Sequence, residues 1–295
     1  MNKHKFEYFL IRKIDLIARV VSLKTAHHIG DLIGDLFYFI IRTRKQVALT
    51  NLKQTFSGEK SEKELKQILR NNYRHFGRVL MEFARMPLFN RNNVLQQIPI
   101  HNIEYIEELI NQQNGVLILT GHFGNWEYLA AALANIGPQL YCVFKQQKNL
   151  AVDNIIKQLR IDIGLLPLKV KGGAASGVIR ALKQKEMALI VIDQDAGKKG
   201  KFIDFLGRPA STTDGAAAIA IRYNIPVILA FGIRGKNGLI KVFLHKFLDV
   251  NKLSDNEEGR IQFLKEYNKI LEKYIRKYPE QWFWLHRRWK TRPAE

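Results

Sequence analysis

The stretch Gly115–Glu127, which reads GVLILTGHFGNWE, decides the fold of this chain. It opens with an apolar run of strand length between two glycines and then turns at Gly124. The apolar residues after Glu127 have the length and composition of a buried helix. The stretch therefore predicts a strand, a short turn and a helix, with His122 at the carboxyl end of the strand. Open α/β sheets place their binding and reacting groups at that edge.

His122 and Glu127 are the first candidate site residues. A carboxylate can fix the imidazole tautomer and stabilise the imidazolium that forms when a histidine acts as a general base. The stretch contains no serine or cysteine, so we expect such a base to activate a substrate hydroxyl rather than a protein nucleophile. Alternatively, the histidine only ends a strand, and Glu127 is a solvated charge in the first helical turn. The spacing alone leaves both interpretations open.

The composition is that of a globular protein with a strong positive charge. The 295 residues suffice for one large domain, or for a domain with an appended helical segment. The formal charge of +20 favours polyanionic partners, which include nucleic acid, anionic lipid headgroups, phosphorylated glycolipids and acidic carrier proteins. The single cysteine, Cys142, excludes a disulfide framework and a cysteine-rich metal site, which fits a reducing compartment.

The amino-terminal region has the pattern of two amphipathic helices, over residues 5–23 and 27–42. No window of eighteen uncharged apolar residues occurs, so we expect no conventional transmembrane helix. The second helix has a broad apolar face and ends in the basic residues Arg42, Arg44 and Lys45. Such a face can lie in a membrane interface or can pack against a protein core, and the pattern leaves both open.

The rest of the chain is first helical and then alternates strand and helix. Residues 46–90 continue helical, with the longest periodic segment over 62–86. From about residue 112 apolar strands alternate with helices, which indicates an α/β fold with a largely parallel sheet buried on both faces. The further predicted strands span residues 140–145, 166–170, 187–192, 225–231 and 239–244. The last two are predicted to pair as a hairpin across residues 235–238.

Two more segments can carry chemistry. Asp193 and Asp195 end a predicted strand and precede a glycine- and lysine-rich loop, which is typical of a site for a polar or phosphorylated headgroup. Otherwise this is an acidic strand end followed by a mobile loop. The tail 278–290 is the densest aromatic and basic run of the chain. It could stack on nucleic-acid bases, or it could cover the sheet with its tryptophans.

These segments resemble the lipid A biosynthesis acyltransferases, the lauroyl and myristoyl transferases of lipopolysaccharide synthesis. The His-x4-Asp/Glu spacing is the signature of the glycerolipid and lipid A acyltransferases. The resemblance covers residues 30–290 in three blocks: 120–127, the run from Asp193 to Ala216, and the tail with PEQW at 279–282 and HRRWK at 286–290. The FPEGTR block that is typical of the glycerolipid branch is absent.

The resemblance implies a fold and a set of site residues. The fold would be glycerol-phosphate-acyltransferase-like, an α/β domain over residues 46–295 preceded by membrane-interface helices over 1–45. The implied catalytic residues are His122, the general base, and Glu127, which orients it. The implied substrate-binding residues are Arg160, Asp193, Asp195 and Asn125. We expect neither a metal ion nor a cofactor, since the histidine mechanism needs none. Backbone N–H groups of the turn 121–125 are candidates for stabilising an oxyanion.

The implied reaction moves a fatty acyl group from acyl carrier protein to a hydroxyl of a lipid A precursor. The partners would be the carrier, a phosphorylated glycolipid and the membrane surface. The protein would be peripheral or shallowly anchored at the cytoplasmic face of the bacterial inner membrane. Alternatives are the same chemistry on a glycerolipid, an inositol mannoside or an aminoacyl lipid, and, more remotely, a basic nucleic-acid-binding protein. No nucleic-acid-binding motif occurs, so we expect no nucleic-acid partner.

Overall fold

The computed structural model describes residues 3–90, 92–169 and 173–293 as an α/β protein. The helices are α1 Lys3–Val20, α2 Leu23–Leu36, α3 Lys45–Thr55, α4 Glu62–Arg85, α5 Val94–Gln97, α6 Glu104–Asn111, α7 Trp126–Leu133, α8 Leu150–Asp162, α9 Ala174–Lys183, α10 Gly215–Arg222 and α11 Glu257–Lys277. The strands are β1 Ile100–His101, β2 Val116–Thr120, β3 Leu140–Phe144, β4 Leu165–Lys169, β5 Met187–Val191, β6 Lys201–Phe205, β7 Arg208–Thr212, β8 Val227–Arg234 and β9 Ile240–Lys246.

The main sheet has the strand order β1-β9-β8-β2-β5-β3-β4. Strand β2 pairs in parallel with β5 on one side and with β8 on the other, so its carboxyl end lies between those of two neighbours. All five residues of β2 are buried, because helices cover both faces of the sheet. The predicted hairpin of β8 and β9 is confirmed, and these two strands pair in antiparallel fashion. The predicted extended segment 166–170 is β4, with Val170 outside the described residues.

The loop predicted after Asp195 contains a hairpin. Strands β6 and β7 pair in antiparallel fashion across Leu206 and Gly207, which both adopt a positive φ. A two-residue turn of this kind matches the twist of paired strands, but it usually contains asparagine or aspartate before the glycine. The buried side chains of Ile203 and Phe205 hold the hairpin against the core.

The amino-terminal helices pack on α4. Helix α2 approaches α4 so closely that a Cβ atom on Gly77 would lie 2.0 Å from the carbonyl oxygen of Gly30. A short π-helical segment, Phe37–Ile41, follows α2. The exposed large apolar side chains of this region are Phe9, Leu10, Leu16, Ile17, Val20, Leu32, Leu36, Phe37, Phe39, Ile40 and Ile41. Within the described ranges, no helix is both long enough and apolar enough to cross a membrane.

Candidate active site

The turn after β2 places His122 at the carboxyl edge of the sheet, as predicted. Gly124 has a φ of +60°, and a Cβ atom there would lie 1.9 Å from the carbonyl oxygen of Gly232, so only glycine fits. Asn125 caps α7 by accepting the N–H groups of Glu127 and Tyr128. The strand, the turn and the capped helix together fix the position of the His122 backbone.

Asp193 is the carboxylate that holds the imidazole. Its Oδ1 lies 2.7 Å from Nδ1 of His122, and its Oδ2 accepts the backbone N–H of His122 at 2.8 Å. The indole N–H of Trp282 also donates to Oδ2, at 2.8 Å. Asp193 follows β5, the neighbour of β2, so the two carboxyl ends meet at one point of the sheet edge. The expectation that Glu127 makes this contact is therefore corrected.

The electrostatics suit a general base. Burial lowers the pKa of His122, but the charge and hydrogen bond of Asp193, with the charge of Glu127, outweigh it, so the pKa lies above its ordinary value. Burial raises the pKa of Asp193, but His122 and the hydrogen bond from Trp282 outweigh this and hold it below its ordinary value. An ionised Asp193 requires the proton on Nδ1 of a neutral imidazole. Nε2 is then the atom that can accept a proton.

Glu127 is paired with Arg160. The guanidinium of Arg160 binds both carboxylate oxygens, through Nε at 3.0 Å and through Nη2, and the indole N–H of Trp126 donates at 3.2 Å. The first turn of α7 directs Glu127 toward α8, where a bidentate arginine is a strong partner for a carboxylate. Its charge still acts on His122, since it raises the pKa of the imidazole. Glu127 and Arg160 are thus brought to the site, but as an ion pair beside the base.

Asn125 and Asp195 have structural contacts. Asn125 is fully buried, and its Nδ2 donates to Glu82 at 2.7 Å. Its Oδ1 accepts the N–H groups that cap α7, so both polar atoms of the side chain already have partners within the protein. The predicted role of Asn125 in substrate binding is corrected for this reason. The Asp195 carboxylate accepts the hydroxyl of Thr291 at 3.0 Å, and its backbone N–H donates to His286. It therefore ties the tail to the strand end, and its predicted contact with substrate stays a prediction.

The tail 278–290 closes the site. Phe283 donates its N–H to the carbonyl oxygen of His122, and Gly124 donates to that of Gln281. Trp282 and Trp284 are buried in the core, so the interpretation as a cover of the sheet fits and an exposed stacking platform does not. Arg288 is fully buried and donates to the carbonyl oxygen of Gln194 at 3.3 Å.

Four N–H groups of the turn 121–125 already have partners in the protein. Those of His122, Phe123, Gly124 and Asn125 donate to Asp193, Gly121, Gln281 and Gly232, in that order. The expectation that these four groups stabilise an oxyanion is therefore corrected, because a tight turn between two packed elements satisfies its own donors. For the N–H of Gly121 it stays a prediction.

Sequence reasoning missed several contributors to the site. The side-chain nitrogen of Gln194 lies 3.4 and 3.3 Å from the two ring nitrogens of His122, and such nearly equal distances place it over the ring face. Glu82, fully enclosed, binds Arg234, Asn125 and His27 from three elements. Gln194 lies between Asp193 and Asp195 in the sequence, so it could have been selected as a candidate site residue. No local pattern connects Glu82 to residues 43 and 152 positions away.

A cavity of about 390 Å³ lies beside Arg160, between α8 and the strands β3 and β4. Its walls are largely apolar, and the apolar lining residues are Tyr141, Phe144, Ile156, Ile161, Leu166, Pro167 and Leu168. The polar ones are Lys145, Gln146, Gln147, Asp153, Lys157 and Arg160. The Arg160 guanidinium lies over the Phe144 ring, with its carbon 3.7 Å from the ring centre. Arg160 thus links the cavity wall to Glu127. No three His, Cys, Asp or Glu side chains cluster as metal ligands within residues 3–90, 92–169 and 173–293.

A mostly parallel sheet, with a partly exposed histidine held by a buried aspartate at its carboxyl edge, defines a class of α/β protein that can remove a proton from a bound group. Residues 4–291 match the family described as bacterial lipid A biosynthesis acyltransferase, and the chain belongs to this family. It is 27% identical to the lipid A biosynthesis lauroyltransferase of Escherichia coli, over 90% of this chain and 86% of the relative. It is 23% identical to the palmitoleoyltransferase of the same organism, over 90% and 85%. A lipid A biosynthesis acyltransferase of Haemophilus influenzae is 28% identical over 91% and 85%.

Proposed function

We propose that this protein transfers a fatty acyl group from acyl carrier protein to a hydroxyl of a lipid A precursor. The observation that carries the proposal is the His122–Asp193 pair at the sheet edge of a chain that belongs to this family. The relatives are named for the same kind of transfer with different acyl groups, which supports the acceptor class more than any one chain length.

The chemistry needs one base with a free ring nitrogen. Nε2 of His122 takes the proton of the acceptor hydroxyl as its oxygen attacks the thioester carbonyl. The C–O bond forms, the tetrahedral intermediate collapses, and the C–S bond breaks. The imidazolium returns the proton to the departing thiolate of the carrier. Asp193 holds the ring and stabilises the imidazolium, as the buried aspartate does in other histidine-based catalysts.

Glu127 and Arg160 assist from beside the base. The negative charge of Glu127 raises the pKa of His122, which strengthens it as a base. Arg160 fixes Glu127 and forms part of the wall of the apolar cavity. We propose that this cavity takes the hydrocarbon chain, because its lining is largely apolar and it begins at the residue that holds Glu127. The carboxamide of Gln194 is a candidate donor to the oxyanion, since it lies next to the imidazole and the N–H groups of residues 122–125 are engaged.

The exposed apolar side chains within residues 1–45 support membrane association. The side chains of Val20, Leu32 and Ile40 are about three-quarters exposed, and basic residues such as Arg42 stand next to them. Such a surface can lie in the interface of an anionic bilayer, with its charges among the headgroups. Helix α1 also contacts the start of the helix that lines the apolar cavity, through the Asn149 side chain and the carbonyl oxygen of residue 4. We propose that the protein lies at the cytoplasmic face of the inner membrane, which is what the resemblance to the lipid A acyltransferases implies.

The deciding experiment is a transfer assay in detergent. It uses acylated carrier protein and a tetra-acylated, phosphorylated diglucosamine lipid, with mass spectrometry of the product. We expect the wild type to add one acyl group and His122→Ala to add none while its circular dichroism stays native. His28→Ala, which removes an exposed histidine of α2, is the matched control and should remain active.

The outcomes separate the alternatives. An active His122→Ala protein would overturn the mechanism. Transfer to a glycerolipid, inositol mannoside or aminoacyl lipid, but not to the diglucosamine lipid, would keep the base and change the acceptor. A wild type that is inactive on every acceptor but binds nucleic acid tightly in a salt titration would replace the enzyme with a binding protein.

A further inference from the structure

A second cavity, of about 480 Å³, is lined by cations. It lies between α4, the turn from β8 to β9 and the end of α11. Arg74, Arg78, Lys236 and Lys277 line it, and the buried side chains of Arg234 and His75 contribute to its lining. We call it the basic cavity. Burial and the charge of Arg234 lower the pKa of His75 to about 3, so the histidine is neutral there.

The basic cavity has more positive than negative charge. Arg234 is paired with Glu82, and Arg78 with Asp31. Asp35 is shared between Arg70 and Arg74, which leaves one positive charge without a counterion. Lys236 and Lys277 are exposed, and no carboxylate of the described chain lies within 4.0 Å of either ammonium group. Glu280 also lines the basic cavity, so its carboxylate offsets one of these three cations and an excess of two positive charges remains.

The arginines of the basic cavity are held in place before any ligand binds. Arg74 and Arg78 each donate through Nε and Nη2 to the two oxygens of one aspartate. Within the described residues, these bonds do not use Nη1 of either guanidinium. Two oriented guanidinium groups beside two exposed ammonium groups suit a phosphate, which accepts several charge-assisted hydrogen bonds. Little side-chain entropy is lost at the arginines when it binds.

The position of the basic cavity indicates the source of the phosphate. Asp31 and Asp35, which hold its arginines, lie on α2, and the same helix exposes Leu32 and Leu36. Helix α4 separates the basic cavity from His122, because His75 lines the cavity while the adjacent Phe76 contacts Phe283 beside the imidazole. A phosphate bound there is therefore not at the reacting atoms. It is next to the apolar surface proposed to contact lipid.

We propose that the basic cavity binds the phosphate of an anionic phospholipid headgroup, at a site separate from the catalytic pair. The headgroup would be held by Arg74, Arg78, Lys236 and Lys277, and its acyl chains would lie with the exposed side chains of α2. This site does not depend on acyl transfer, and it would stand even if His122 served another reaction.

The test uses the full chain and soluble probes. Isothermal titration with monomeric dihexanoyl phosphatidic acid, and separately with inorganic phosphate, measures binding without a membrane. Lys236→Ala/Lys277→Ala removes the two exposed cations without touching a buried contact. Lys252→Ala/Lys265→Ala is the matched control, since it removes the same charge from exposed positions elsewhere. Flotation with vesicles of phosphatidylcholine and 20% phosphatidylglycerol repeats the comparison on a bilayer.

We expect saturable binding of one phosphatidic acid to the wild type and to the control, and binding weaker by roughly tenfold or more in Lys236→Ala/Lys277→Ala. Equal affinity for inorganic phosphate would support the anion site and identify free phosphate as its ligand. The absence of saturable binding, or the same loss in the control, would overturn the proposal. It would also be overturned if the variant bound lipid normally but lost affinity for acyl carrier protein, since the cavity would then bind an acidic protein.

Discussion

His122 is fixed both through its ring and through its backbone. Its Nδ1 and its N–H bond to Asp193, and its carbonyl oxygen accepts the N–H of Phe283. Asp193→Asn keeps the size of the side chain but removes the charge, and its amide can donate to Nδ1 and so favour the wrong tautomer. We expect kcat of the transfer reaction to fall by roughly 10³-fold or more. Asp204→Asn, at an exposed position of β6, should lose much less, and full activity of Asp193→Asn would contradict the assignment.

The pH dependence of the reaction tests Glu127. A general base works unprotonated, so kcat/KM falls as the pH drops through the pKa of His122, which lies above its ordinary value. Glu127→Gln removes a charge that raises this pKa and leaves the Arg160 cation unpaired, and both changes lower it. The acid limb of the kcat/KM profile should therefore move to lower pH. Glu258→Gln, at an exposed position of α11, should leave the limb in place. If the acid limb did not move in Glu127→Gln, the charge of Glu127 would have no effect on the pKa of His122.

At the scale of elements, local patterns predicted those segments that contain their own apolar run and turn residues. The strand, turn and helix from Gly115 to Leu133 and the hairpin of β8 and β9 follow from apolar runs and glycines. The two-residue strand β1 is too short to leave a pattern, and the β6–β7 turn places Leu206 where asparagine is usual. The pairing of His122 with Asp193 depends on β5 lying next to β2, which is a property of strand order. Local periodicity does not encode that order.

Removing the cap residue of α7 should destabilise the protein more than removing an ordinary helix cap. Asn125→Ala removes the bonds to two N–H groups of the helix and one of the partners of the buried Glu82 carboxylate. We expect the free energy of unfolding to fall by about 2–3 kcal/mol, from the cap and from the weakened buried network. Asn256→Ala, at the exposed cap of α11, should cost only about 1 kcal/mol. Urea unfolding of both variants measures the two losses in unfolding free energy. Equal losses would mean that the hydrogen bond from Asn125 to Glu82 does not contribute to stability.

At the scale of the whole molecule, the exposed apolar side chains concentrate in the first 45 residues, while a charge of +20 is carried by the full chain. A bilayer would satisfy both features at once. Val20→Glu/Ile40→Glu places two carboxylates at side chains that are 75% and 72% exposed, so it should leave the unfolding free energy almost unchanged. Each apolar side chain inserted into lipid contributes about 1.5–3 kcal/mol.

Flotation with vesicles that contain 20% phosphatidylglycerol should therefore show strong binding of the wild type and a loss of at least about tenfold in Val20→Glu/Ile40→Glu. Phe202→Glu/Tyr223→Glu introduces the same charge at exposed aromatic positions of β6 and the end of α10, and it should bind like the wild type. If both variants lost binding equally, net charge alone would govern the association. If neither did, the apolar face of the amino-terminal helices would not be what contacts the bilayer, and attraction between the basic surface and anionic lipid would have to account for any binding that remained.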